Sequence, residues 1–81
     1  MSPKLPRVTA ARVLQALKRA GWYEHHQTGS HLFLRHPIRP GMRVDIPMHR
    51  GKTLKLKTLV RIVDSAGLTV EEFADLLGGA K

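Results

Sequence analysis

Eighty-one residues, 42% of them hydrophobic and 25% charged, provide for one small domain spanning residues 1–81, with one core and no room for a second. Cysteine is absent, which excludes a disulfide framework and thiolate metal sites, and no apolar run approaches the length of a membrane span. The net charge of +8 is uneven: residues 1–61 carry thirteen Lys and Arg against Glu24 and Asp45, whereas residues 62–81 carry Lys81 against Asp64, Glu71, Glu72 and Asp75. So basic a chain gathers polyanions, of which RNA is the abundant one in a cytoplasm. The N-terminus lacks the apolar stretch of a signal peptide, and no amphipathic helix pairs a basic face with an aromatic-rich one. The sequence therefore predicts a soluble, cytoplasmic protein with no membrane partner.

Taken in order, Pro3 and Pro6 keep the first residues extended, and Thr9 caps a helix whose apolar positions Ala10, Val13, Leu14 and Leu17 fall at helical spacing. Arg12, Lys18 and Arg19 lie off that stripe and are expected in solvent, and Gly21 ends the helix. Trp22–Gln27 and His31–His36 read as two strands of a hairpin, and Met42–Ile46 alternates as a third strand that Pro47 closes. Met48–Lys55 is a basic loop with Gly51 in its middle. A second helix follows, with Leu56, Leu59, Val60, Ile62, Val63 and Ala66 as core candidates and Gly67 as its stop. Thr69-Val70-Glu71-Glu72 is a capping box, and Leu68 can staple onto Phe73; the short helix it starts carries Leu76 and Leu77 inward and stops at Gly78-Gly79. Short connections make the strands antiparallel, with the helices on one face: an α+β two-layer sandwich.

The stretch richest in chemistry is Gln27-Thr28-Gly29-Ser30-His31. Gly29 supplies the positive φ a tight turn needs, Ser30 can hydrogen-bond the turn backbone, and His31 opens a strand with its imidazole near solvent, a suitable place for a proton carrier. The bland reading is a polar hairpin end that happens to carry a histidine.

The whole chain from about Lys4 to Leu77 resembles the HicA (YcfA-like) family of small toxins from bacterial toxin-antitoxin pairs. Four landmarks carry the resemblance: Leu5-Pro6-Arg7-Val8-Thr9 leading into the first helix, Gly21-Trp22 at its exit, Gly29-Ser30-His31 with Arg35-His36-Pro37 behind it, and Val44-Asp45-Ile46-Pro47-Met48-His49 followed by Leu68–Phe73. The resemblance implies a fold similar to a double-stranded-RNA-binding domain, α-β-β-β-α plus a short C-terminal helix. It also implies an endoribonuclease activity on mRNA, independent of the ribosome, restrained by a HicB-type antitoxin. His31 corresponds to the family's catalytic histidine. The chain departs from the family where it has Leu32 in place of a second histidine, and where it has Leu56-Lys57 in place of Pro-Gly.

RNA brings its own nucleophile, the 2′-hydroxyl, so cleavage needs a base, an acid and cations, with no metal or other cofactor. Histidine suits the proton steps because its ordinary pKa lies near neutrality, and Lys and Arg suit the phosphate oxygens. Lys52 and Arg50 in the glycine loop, and Arg35 farther along the strand on the face of His31, are the cationic candidates. A metal site is disfavoured: His31 and His36 fall on opposite sides of an extended strand, His25 and His26 diverge if extended, and no carboxylate sits at ligand spacing with a histidine pair. One of His25 and His26 can serve as a second proton carrier, or His26 can be a plain cross-strand neighbour. Ser30 lacks the strand-to-helix elbow and acid partner of a hydrolase nucleophile. Trp22 and Phe33 are expected in the core, and Tyr23 is left open as core or base-stacking residue. The rival reading is a non-catalytic RNA-binding module of the same fold.

Overall fold

The computed structural model describes Leu5, residues 7–49 and residues 51–78. Helix α1 (Ala10–Arg19) is followed by strands β1 (Tyr23–Thr28), β2 (His31–Arg35) and β3 (Arg43–Pro47), then helices α2 (Leu56–Ser65) and α3 (Val70–Leu77). The strands form an antiparallel sheet in the order β1-β2-β3, and the alternation of β2 and β3 turns Leu32, Leu34, Val44 and Ile46 toward the helices. There they join Val13, Leu17, Leu59, Ile62 and Phe73 in one core. The α-β-β-β-α order, with α3 added, is the α+β arrangement the sequence predicts.

Local chemistry fixes the ends of the helices. Thr9 Oγ1 accepts from the Arg12 N–H at the start of α1. At α3 the box is complete: Thr69 Oγ1 accepts from the Glu72 N–H at 3.0 Å, and Glu72 Oε1 accepts from the Thr69 N–H at 2.8 Å. Phe73 on that helix is fully buried, so α3 anchors the layer; truncating such a residue to alanine costs about 3–5 kcal/mol.

Several expectations are corrected. Met42 precedes the third strand and Pro47 is its last residue, while His36 lies just beyond β2 and the buried Trp22 just before β1. Phe33 leaves the core because Leu32 and Leu34 point inward, and strand alternation then sends it to the outer face. Leu56 and Val60 are exposed, because α2 is apolar on more sides than it has neighbours among the described residues. Arg12 and Arg19 do not simply enter solvent: Arg12 Nη2 donates to the Leu77 carbonyl (3.2 Å) and Arg19 Nη1 to the Leu76 carbonyl (2.7 Å), clasping the last turn of α3 to α1. Lys18 pairs with Glu24 at 2.6 Å. Gly79, the second of the two stop glycines, lies outside the described residues.

Candidate active site

Gly29 and Ser30 alone connect β1 to β2, which pair from Thr28↔His31 onward. Gly29 lies at φ +57° and no non-glycine residue among those described has positive φ, the pattern of a type II′ hairpin with glycine first. The turn is held on two sides: Gln27 Nε2 donates to the Gly29 carbonyl, and the Met48 N–H donates to the Ser30 carbonyl at 2.6 Å. His31 is thereby fixed at the end of the central strand, with its side chain about half exposed (49%) on the outer face.

On that face Asp45 stands diagonally across from His31. The register Phe33↔Asp45 and His31↔Pro47 brings Asp45 Oδ2 to 3.3 Å from His31 Nδ1. A carboxylate can only accept, so Nδ1 carries the hydrogen, and the other ring nitrogen, Nε2, has no hydrogen-bond partner among the described residues and is left for exchange. Sequence reading assigned His31 no acid partner. The signal was present in β3, where Val44 and Ile46 facing inward force Asp45 outward, but it takes the register to connect the two.

His31 lines a cleft of about 500 Å³. Pro47 ends β3 and His49 follows it, Lys52 and Thr53 come from the loop, Lys55 is the N-cap of α2, and Thr58 and Arg61 come from α2 itself. The first turn of α2 lacks a side-chain cap, so its N–H groups add partial positive charge to three cationic side chains. Among the described residues, no carboxylate lines the cleft. The loop is tied down: the Leu54 N–H donates to the Val8 carbonyl, and the Lys52 N–H closes a turn on the His49 carbonyl with Gly51 at φ +75°. Both flanks of that turn, His49 and Lys52, therefore face the same cleft.

Of the cations predicted from sequence, Lys52 shares the cleft with His31. Arg35 is on the outer face but at the opposite end of β2, roughly 13 Å along the strand, paired with Arg43. Arg50 lies outside the described residues. His49, Lys55 and Arg61 were missed; only the folded path of the loop onto α2 assembles them. His25 and His26 do not diverge, because a bulge between Glu24 and His26 breaks the alternation. Their Nδ1 atoms approach to 2.9 Å, one donating and one accepting, and the His26 ring stacks on Phe33 at 4.7 Å between centroids.

His36 has no such freedom. Its Nε2–H donates to the Ala20 carbonyl (3.0 Å), its Nδ1 accepts from the Ile38 N–H (3.2 Å), and its ring meets Trp22 edge-on at 5.3 Å. Gly21, at φ +100°, admits it closely: a Cβ there would lie 2.7 Å from His36 Nε2. The Gly21-Trp22 and Arg35-His36-Pro37 landmarks are thus two halves of one packing contact.

With this geometry in place, a family model described as "HicA toxin of bacterial toxin-antitoxin" matches residues 10–68. The matched span runs from the start of α1 to the residue before the α3 cap and includes every residue of the cleft. No curated protein matches the chain.

Proposed function

The chain belongs to the HicA family of toxins from bacterial toxin-antitoxin systems, and on that premise we propose that it is an endoribonuclease that cleaves mRNA by histidine acid/base chemistry. The observation that carries this reading is His31, with Nδ1 engaged by Asp45 and Nε2 left over, beside a cleft lined by Lys52, Lys55 and Arg61. The cations draw in the phosphodiester and offset the charge that develops on the phosphorane. Asp45 fixes the tautomer and orientation of the imidazole, so that Nε2 can take the proton of the 2′-hydroxyl. The nucleophile comes from the substrate, and the scheme requires no metal or other cofactor.

A toxin of this kind has an antitoxin partner, and the chemistry of the cleft suggests its character. An acidic HicB-type protein covering the cations would bind quickly through complementary charge and exclude RNA by occupying the same surface. His31→Ala is the direct test. Cleavage of a transcript should fall by about 10²- to 10⁴-fold while folding and RNA affinity are retained, because the half-exposed side chain contributes no core packing. Equal rates for wild type and variant would return His31 to the plain hairpin-end reading and assign the cleavage to other residues.

A further inference from the structure

We propose that His49 is the second proton-transfer residue, the general acid that protonates the leaving 5′-oxygen; the assignment rests on the ribonuclease reading above. His49 and His31 line the same cleft. Pro47 is the cross-strand partner of His31, and the His49 N–H folds back onto the Pro47 carbonyl at 3.2 Å, so the chain turns His49 toward the same end of the sheet instead of carrying it away. The turn closed by Lys52 holds it there from the other side.

The remaining groups fit the role less well. Lysine and arginine ordinarily keep their protons well above neutrality, which suits Lys52, Lys55 and Arg61 to charge stabilisation. Asp45 is already engaged with His31. His26 is diagonal to His31 on the outer face, but its ring lies on Phe33, its Nδ1 is engaged with His25, and it is not part of the cleft.

The step balances with two histidines. As the 2′-oxygen bonds to phosphorus, its proton passes to His31 Nε2; as the bond from phosphorus to the 5′-oxygen breaks, protonated His49 gives its proton to that oxygen. A 2′,3′-cyclic phosphate and a 5′-hydroxyl result, and exchange with solvent restores both rings.

A leaving group that needs no proton separates this role from phosphate binding. The substrate is an RNA oligonucleotide with sulfur replacing the bridging 5′-oxygen at a linkage the wild-type protein cuts. On all-oxygen RNA, His49→Ala and His49→Gln should each cut about 10²- to 10⁴-fold more slowly than wild type. On the sulfur linkage their deficit should shrink below about tenfold, whereas His31→Ala should stay slow on both. His26→Ala should match wild type throughout. A His49 deficit that persists on the sulfur linkage, or no deficit on ordinary RNA, overturns the assignment, as does rescue in His26→Ala instead. A wild-type protein inert toward both substrates overturns the ribonuclease reading itself, and the assignment with it.

Discussion

At one end of β2, His36 has both ring nitrogens committed to backbone groups and its ring edge against Trp22; at the other, His31 commits one nitrogen to Asp45, keeps the second unpaired among the described residues, and lines a cationic cleft. The two residues are five positions apart in the same sequence, and composition cannot tell them apart. What separates their roles is hydrogen-bond capacity left over after folding. A fully satisfied imidazole is a structural element, and one with a spare nitrogen beside phosphate-binding charge can move protons.

The contrast can be broken at either end. The largest effect expected is on cleavage, at His31, as set out above; its counterpart, His36→Ala, should act on stability instead. Losing that ring strands the Ala20 carbonyl and Ile38 N–H and uncovers Trp22, a loss of about 1–3 kcal/mol that a urea unfolding midpoint would register. Cleavage per folded molecule should remain at the wild-type level. A stable His36→Ala protein with slowed cleavage would mean the two ends had been assigned the wrong way round.

A smaller effect sharpens the His31 end. Asp45→Ala frees the imidazole to rotate and should slow cleavage by roughly tenfold, the scale on which a partner that only orients a functional histidine acts. Removing a carboxylate from a basic surface should not weaken RNA binding, so unchanged cleavage with unchanged affinity would show that the 3.3 Å contact has no part in orienting His31.

The smallest effect is electrostatic. If Lys52, Lys55 and Arg61 each neutralise one phosphate of a single strand, log affinity should fall with log salt at a slope of about −2, and Lys52→Ala should flatten it by about 0.7. Arg12 and Arg19, fastened to the carbonyls of α3, should leave that slope unchanged when replaced by glutamine. A fluorescence titration over salt reads all three proteins, and a slope near zero for wild type would remove the cleft as an RNA surface.

Most of the fold was legible because its signals are local. The Thr69–Glu72 box, the Gly29-Ser30 turn and the spacing of Val13 and Leu17 each act within one turn of chain, and each appears in the structure as read. The misplaced residues depend on neighbours that sequence alone does not supply. Leu32-Phe33-Leu34 looks like an unbroken apolar run, and only a sheet with one covered face sends Phe33 outward to meet His26. His31 was legible as a candidate, whereas Asp45 needed the register between β2 and β3, and His49, Lys55 and Arg61 needed a loop pinned by Val8 and laid against α2.

The sheet's two sides carry one more consequence. β1 and β3 are its edges, and an open edge is a template on which a second chain can pair and begin an aggregate. On β1, the bulge at His25 interrupts the row of evenly spaced donors and acceptors. On β3, the Met48 N–H points inward to Ser30, so the neighbouring Pro47 nitrogen faces outward, and it has no hydrogen to offer. A stray strand arriving at either side meets a broken ladder, so one extra residue and one missing N–H protect a small, highly charged sheet from growing by addition of its own copies.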